Sequence, residues 1–291
     1  MPLSGYVVAS PSEVLDQLVR LALAEDVGPA DWTTSWTVPP DARGHATVVA
    51  KSHLVVAGVE AAGAVFGAVD PALALALGVV HGDGVRAGPG DVVLEVAGAA
   101  GQILTAERVA LNFLGRLSGV ATLTREFVEA VRGTGARIMD TRKTTPGWRH
   151  LEKAAVRAGG GMNHRLGLFD MVMIKDNHIA AAGGITAAVE QVRARNQVQL
   201  PIEVEVRSGE ELEEALTLGV DRILLDNMDL GTLARAVERA HRLGSDRPEL
   251  EASGNVTLET VRSVAETGVD LISVGALTHS APVADLSLRM D

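Results

Sequence analysis

Hydrophobic positions along the chain follow two rhythms. In the first, apolar residues recur three and four apart in "VLDQLVRLAL", a helical spacing. Ser10 stands as N-cap, Pro11 at the first helical position and Glu13 at the third, so the helix is entered through a capping box. Strand-like runs follow at "HATVVA" and "HLVVAG". Then comes "HGDGVRAGPGDVVLEVAG", where Gly-rich turns bracket another strand. The pattern predicts a small α+β domain over residues 1–112.

The second rhythm begins after a helix starting near Thr105, "TAERVALNFLGRLSGVATLTREFVEAV". Near-continuous apolar runs now alternate with amphipathic stretches such as "LGTLARAVERAHRLG" and "TLETVRSVAETGV". Six such runs, "RIMDTRK", "MVMIKDNH", "IEVEVRS", "RILLDNMD", "ELEASGN" and "LISVGAL", recur at roughly 20 to 35 residues, about one βα unit each. Buried strands alternating with helices predict a parallel sheet covered by helices. Nearly every run ends in a chemically useful residue, which favours the active face of a (β/α) barrel over the single switch point of an open sheet. Six strands do not complete an eight-stranded barrel. The barrel is expected over residues 113–276, with the tail at 277–291 returning to the first domain.

Composition narrows the class. The chain has 291 residues, 47% apolar and 22% charged, as a folded protein should. Its net charge of −11 and 3% aromatic content argue against a nucleic-acid partner. With no cysteine, thiolate-bound metal, disulfides and thiol catalysis are excluded. No apolar run approaches the roughly 18 residues of a membrane span. The start, "MPLSGYVVAS", lacks the basic segment and apolar core of a signal peptide. A cytoplasmic protein that binds neither membrane nor nucleic acid is expected.

Against that acidic background, residues 137–178 hold eight Lys/Arg and four Asp/Glu, a local charge of +4. Arg149, Lys153 and Arg157 recur at helical spacing along "WRHLEKAAVRA" and read as a solvated helix face. Lys143, beside Arg142 in "DTRKTTPG", and Lys175 each follow a β run at the expected open face, where a charge is costly unless a ligand meets it. "AGGGMNHR" has more glycine than a helix C-cap needs, and with His164 and Arg165 it reads as a loop closing over an anion. The strand ends "SGN" and "SVGAL" suit phosphate binding through backbone amides. Glu205 and Asp226 suit either salt bridges to the cations, or ribose hydroxyls and a divalent metal. A Schiff-base role for Lys143 or Lys175 ranks lower, since Arg142 and Asp176 adjoin them rather than an apolar pocket.

At these residues the chain resembles the quinolinate phosphoribosyltransferase (decarboxylating nicotinate-nucleotide pyrophosphorylase) family. The likeness rests on "DTRKTTPGWRHLEKAAVRAGGGMNHRLGLFDMVMIKDNHI" (140–179), "LAEDVG" with "DWTT", "GQILTAERVALNFLGRLSGVAT", "IEVEV", "ILLDN", "EASGN" and "SVGALTHS". It covers almost the whole chain, with Trp32 and Trp148 standing where aliphatic residues are expected. It implies an N-terminal α/β sandwich plus an incomplete, irregular α/β barrel. The implied reaction joins quinolinate to phosphoribosyl pyrophosphate and releases pyrophosphate and carbon dioxide. By the same resemblance, Arg142, His164, Arg165 and Lys175 bind the two quinolinate carboxylates, with Thr141 beside them, and Lys143 faces the donor. Glu205 and Asp226 contact the ribose and Mg²⁺, directly or through water. Ser253, Gly254, Asn255, Ser273 and Gly275 hold the 5′-phosphate. Lys143, Lys175, Glu205 and Asp226 form the implied catalytic set. Arg108 reaches into the partner subunit's site, which implies a homodimer, with a hexamer as a further level of assembly. A monocarboxylate-specific relative and a non-catalytic anion-binding barrel are the rival readings.

Overall fold

The computed structural model describes residues 9–291. Most of the stretch read for a signal peptide, residues 1–8, lies outside them. The chain forms two compact units. Among the described residues, the first comprises 9–123, 144–160 and 280–291, and the second 124–143 and 161–279. The division therefore falls elsewhere than the expected 112/113 and 276/277 boundaries. Within the first unit, Trp148 stacks on Phe113, centroids 4.7 Å apart. Arg116 also donates to the buried Glu152 carboxylate at 2.8 Å, so the helix Arg149–Ala158 belongs to this unit. That corrects the reading of its charges as a solvated face. Lys153 and Glu152 are buried, Arg149 is half-buried with Nε donating to Thr144, and only Arg157 is exposed.

The first unit opens with the helix Pro11–Val27, whose capping box between Ser10 and Glu13 is formed as expected. Its strands are β1 (Arg43–Ala50), β2 (Leu54–Val55), β3 (Leu77–Val79), β4 (Arg86–Ala87) and β5 (Val92–Ala99). The long helix Ala100–Ala130 follows β5 directly and begins five residues before Thr105. Five further strands, β7 (Val172–Ile174), β8 (Ile202–Val206), β9 (Arg222–Asp226), β10 (Glu249–Ser253) and β11 (Leu271–Ser273), follow β6 (Arg137–Met139) in the second unit, and β12 (Leu286–Met290) closes the series. The first sheet is four-stranded in the order β12-β1-β5-β3, and its pairs are antiparallel. The helix Val59–Val69 buries Ala61, Ala62, Val65 and Phe66.

Residues 280–291 thus return to the first unit, and a groove in the long helix receives them. A Cβ on Gly119 would stand 1.8 Å from the carbonyl oxygen of Pro282. Only glycine admits that approach.

In the second unit, the six expected runs are the six strands of one parallel sheet, in the order β6-β11-β10-β9-β8-β7. The first strand pairs with the last, as in a barrel, while β6 and β7 are left as the two edges. This is a half-closed barrel. Residue periodicity sorts the strands: Ile223 and Leu225 of β9, with Val204 and Val206 of β8, are buried and alternate with the charged residues. Helices Ile185–Arg193, Gly209–Thr217, Leu230–His241 and Val261–Glu266 each bury an apolar stripe. Among the described residues no helix is long and apolar enough to cross a membrane.

Candidate active site

A pocket of about 210 Å³ opens at the strand ends of the half-barrel, wholly within the second unit. Its walls bring together Thr141, Arg142, Lys143, His164, Arg165 and Lys175 from the cation-rich segment. Facing them are Glu205, Asp226, Ser253 and Ser273. Residues two apart on each strand project to the same side. Hence β8 contributes Glu203 and Glu205, β9 Arg222 and Asp226, and β10 Glu251 and Ser253.

Asp140 locks the cation-bearing segments together. Fully buried at the end of β6, its carboxylate accepts from the His164 amide at 2.9 Å and from Asn163 Nδ2 at 2.6 Å. The Met162 amide also donates to Ile138 at 2.8 Å, and Met162 bridges Met139 in parallel. "AGGGMNHR" is therefore a helix exit followed by a strand-like extension beside β6, rather than a loop closing over an anion. The backbone hydrogen bonds of Met162 are spent on β6.

Each expected site residue can be placed. Thr141 Oγ1 accepts from the Lys143 amide at 3.0 Å, a turn that leaves Lys143 exposed. The Lys143 carbonyl is held by Thr278 Oγ1 at 2.8 Å. Arg165 is half-buried and donates to the Met171 carbonyl at 3.3 Å. Burial pulls its guanidinium below the ordinary arginine value, and the like charge of Arg142 acts in the same direction. Lys175 Nζ is paired with Glu205. Asp226 accepts from Asn227 Nδ2 at 3.0 Å.

The turn after β10 is set by Gly254, at φ +105°, where a Cβ would stand 2.1 Å from Asn227 Oδ1. Asn255, also left-handed at φ 51°, donates to the same Asn227 at 3.2 Å. Ser253 is in register with Ser273 and with Asp226, so these three strand ends lie side by side. A Cβ on Gly275 would come within 3.3 Å of Lys143 Cδ, so that strand end closes on the lysine. Arg108 is exposed on the long helix of the first unit and does not line this pocket.

Four participants escaped sequence reasoning. Arg207 reaches Asp176 at 2.9 Å, Glu205 at 3.3 Å and Asp226 at 3.6 Å, standing as a fixed cation over the acids. Its Asp176 bond is the first cause that raises its pKa. Glu203, Glu251 and Arg222 lie deeper, with Arg222 Nη1 at 3.3 Å from Glu251. The available signal was an acid at alternate positions of otherwise apolar "IEVEV" and "ELEAS".

A half-closed barrel whose open end gathers paired arginines and lysines opposite two carboxylates is an anion-handling enzyme site. Residues 31–118 match the quinolinate phosphoribosyl transferase N-terminal domain, and residues 120–289 match its C-terminal domain. The chain is 46% identical over 280 residues to a probable nicotinate-nucleotide pyrophosphorylase [carboxylating] of Synechocystis, covering 96% of this chain and 94% of that one. It is 45% identical to a mitochondrial quinolinate phosphoribosyltransferase [decarboxylating] of Nicotiana tabacum, covering 97% and 84% respectively. The nicotinate-nucleotide pyrophosphorylase structure from Francisella tularensis superposes with a TM-score of 0.91 at 36% identity, covering 97% of this chain and 98% of that one. The chain belongs to the quinolinate phosphoribosyltransferase family.

Proposed function

We propose that this chain transfers the phosphoribosyl group of phosphoribosyl pyrophosphate to quinolinate, with loss of carbon dioxide, yielding nicotinate mononucleotide and pyrophosphate for NAD biosynthesis. The observation that carries this reading is the gathering of Arg142, Lys143, Arg165 and Lys175 opposite Glu205 and Asp226 in one pocket. A dicarboxylate and a diphosphate need several fixed cations, and arginine forks suit carboxylates. Arg142, Arg165 and Lys175 hold the two carboxylates, with Thr141 and His164 framing them. Lys143, on its exposed turn, meets the diphosphate. Ser253, Gly254, Asn255, Ser273 and Gly275 border the 5′-phosphate.

The pyridine nitrogen forms a bond to the anomeric carbon as the carbon–oxygen bond to pyrophosphate breaks. Charge on the departing oxygens is met by Lys143, and the reactants are held in line by the cations on either side. The ring nitrogen is then cationic, so the adjacent carbon–carboxylate bond breaks to release carbon dioxide. The electron pair left on the ring takes a proton from water. No side-chain nucleophile is required. Glu205 and Asp226 supply carboxylate oxygens, the donors that Mg²⁺ prefers, and fit a Mg²⁺ ion arriving with the diphosphate. That ion would neutralise the leaving group.

The test is a paired assay with phosphoribosyl pyrophosphate and Mg²⁺, offering quinolinate or nicotinate and following nucleotide and carbon dioxide. Equal yields of both products from quinolinate alone are expected. Turnover of nicotinate, or of neither, would overturn the substrate assignment. As part of the same reading, the protein acts as a cytoplasmic homodimer in which Arg108 of each subunit completes the partner's site. Refolding a mixture of the inactive Arg108→Ala and Lys175→Ala proteins should restore some activity, and none in verified mixed dimers would refute the sharing.

A further inference from the structure

Below the pocket mouth, His164, Glu203 and Glu251 bring ligand-type atoms within 4.8 Å of one another, all buried. Both carboxylate oxygens of Glu203, Oε1 of Glu251 and Nε2 of His164 lack a hydrogen bond of good geometry. His164 Nε2 points at this pair, 3.1 Å from Glu203 Oε2 and 3.5 Å from Glu251 Oε2. Burial first, and the Glu203 charge second, push the Glu251 carboxyl up to about 8. Glu251 therefore holds its proton more tightly than a solvated carboxyl does.

Such a trio could be a metal site or a mechanical support. The other ring nitrogen decides between them. His164 Nδ1 accepts from the Arg165 amide at 2.6 Å, so the ring proton resides on Nε2. A metal-bound histidine does the reverse: it coordinates through one nitrogen and donates from the other. With its proton on Nε2, the imidazole faces the carboxyl pair at contact distance. Arg222, 3.3 Å from Glu251, already supplies the compensating positive charge. Both ring nitrogens thus face groups of the protein, and the ring acts through what it holds.

What it holds is the Arg165 backbone. The buried acids fix the imidazole, the imidazole fixes the Arg165 amide, and Asp140 ties the same segment to the turn carrying Arg142 and Lys143. We propose that Glu203 and Glu251 are positioning residues for dicarboxylate recognition, acting through the His164 ring to hold Arg165 in register with Arg142. This rests on the reading of Arg165 as a carboxylate-binding residue given above.

The experiment combines steady-state kinetics with nitrogen-detected NMR of the histidine ring, on Glu203→Leu, Glu203→Gln and Glu251→Gln. Removing the acceptor in Glu203→Leu should raise KM for quinolinate about tenfold, the scale typical for loss of an outer partner of a binding side chain. KM for phosphoribosyl pyrophosphate should stay within about twofold. Glu203→Gln keeps an acceptor and should recover most of the loss. Glu251→Gln mimics the protonated acid and should bind quinolinate like the parent. The parent ring should show its proton on Nε2. A proton on Nδ1, a transition metal co-purifying with the parent and absent from Glu203→Gln, or KM values for both substrates rising together would each overturn the proposal. Should Glu203→Leu fail to fold, the ring spectrum still decides. An inactive parent would instead sink the proposed function, whereas an active parent with an unmoved Glu203→Leu would sink only the positioning role.

Discussion

The mouth and the floor of the half-barrel are built from the same strands and carry similar charges, yet they use them in opposite ways. β8 lends Glu205 to the mouth and Glu203 to the floor, and β9 lends Asp226 and Arg222. At the mouth, the side chains of Lys175 and Arg207 are 42% and 52% exposed, so water shares in their pairs with the acids. At the floor, Glu203 and Glu251 are fully buried. A pair that water can reach is exchanged for a ligand at small cost. A buried pair is not, because the group left behind has no solvent to turn to. Depth along a strand thus separates charges that work from charges that support.

The largest test of this contrast is at the mouth. Lys175→Ala should lower kcat/KM for quinolinate by about two to three orders of magnitude, as loss of one charge-stabilising contact does. Its urea midpoint should stay close to that of the parent. An equal loss of stability would mean that the mouth pairs are structural too.

At the floor, pH is the sharper probe. The Glu251 carboxyl stands at about 8 against an ordinary 4.5, so the folded state holds its proton more tightly than the unfolded chain does. The stability from this group is fully present below pH 4.5 and is lost as pH rises through 8. Glu203, His164, Arg222 and Ser273 are the polar groups around it, and Glu203 is raised in the same direction, by burial first. Glu251→Gln should therefore flatten the fall in urea midpoint across this window and leave the protein more stable than the parent at pH 8. An unchanged slope would place that proton elsewhere.

The smallest effect is expected at Arg207. Its exposed pairs with Glu205 and Asp226 compete with an arriving cation for the same carboxylates. Arg207→Ala should lower the Mg²⁺ concentration for half-maximal rate by about two- to fivefold, the scale of a surface ion pair. A rise instead would mark Arg207 as a contact to the diphosphate.

The mouth was legible in the sequence and the floor was not, for one physical reason. Lys175 after "MVMI" and Asp226 after "RILL" each end an apolar run and so announce themselves. Glu203 and Glu251 sit inside runs whose alternation elsewhere means one solvated face, whereas here both faces are buried. Lys153 misled in the same way, since helical spacing does not reveal which side of a helix meets solvent. Arg207 gathers acids from three separate chain segments, a relation that no local pattern encodes. The capped first helix and all six parallel strands are written in local periodicity, and they stand where that periodicity puts them.

The pairing of β12 with β1 also has a consequence for the order in which the molecule is made. On a translating ribosome, residues 43–50 emerge early and then wait for residues 286–290 before their sheet is complete. Every strand of the second unit leaves the exit tunnel during that interval. The half-barrel can therefore settle first, while the first unit stays unfinished and its exposed β1 edge invites premature partners. Glycines 115 and 119 keep the docking groove open for a segment that arrives last.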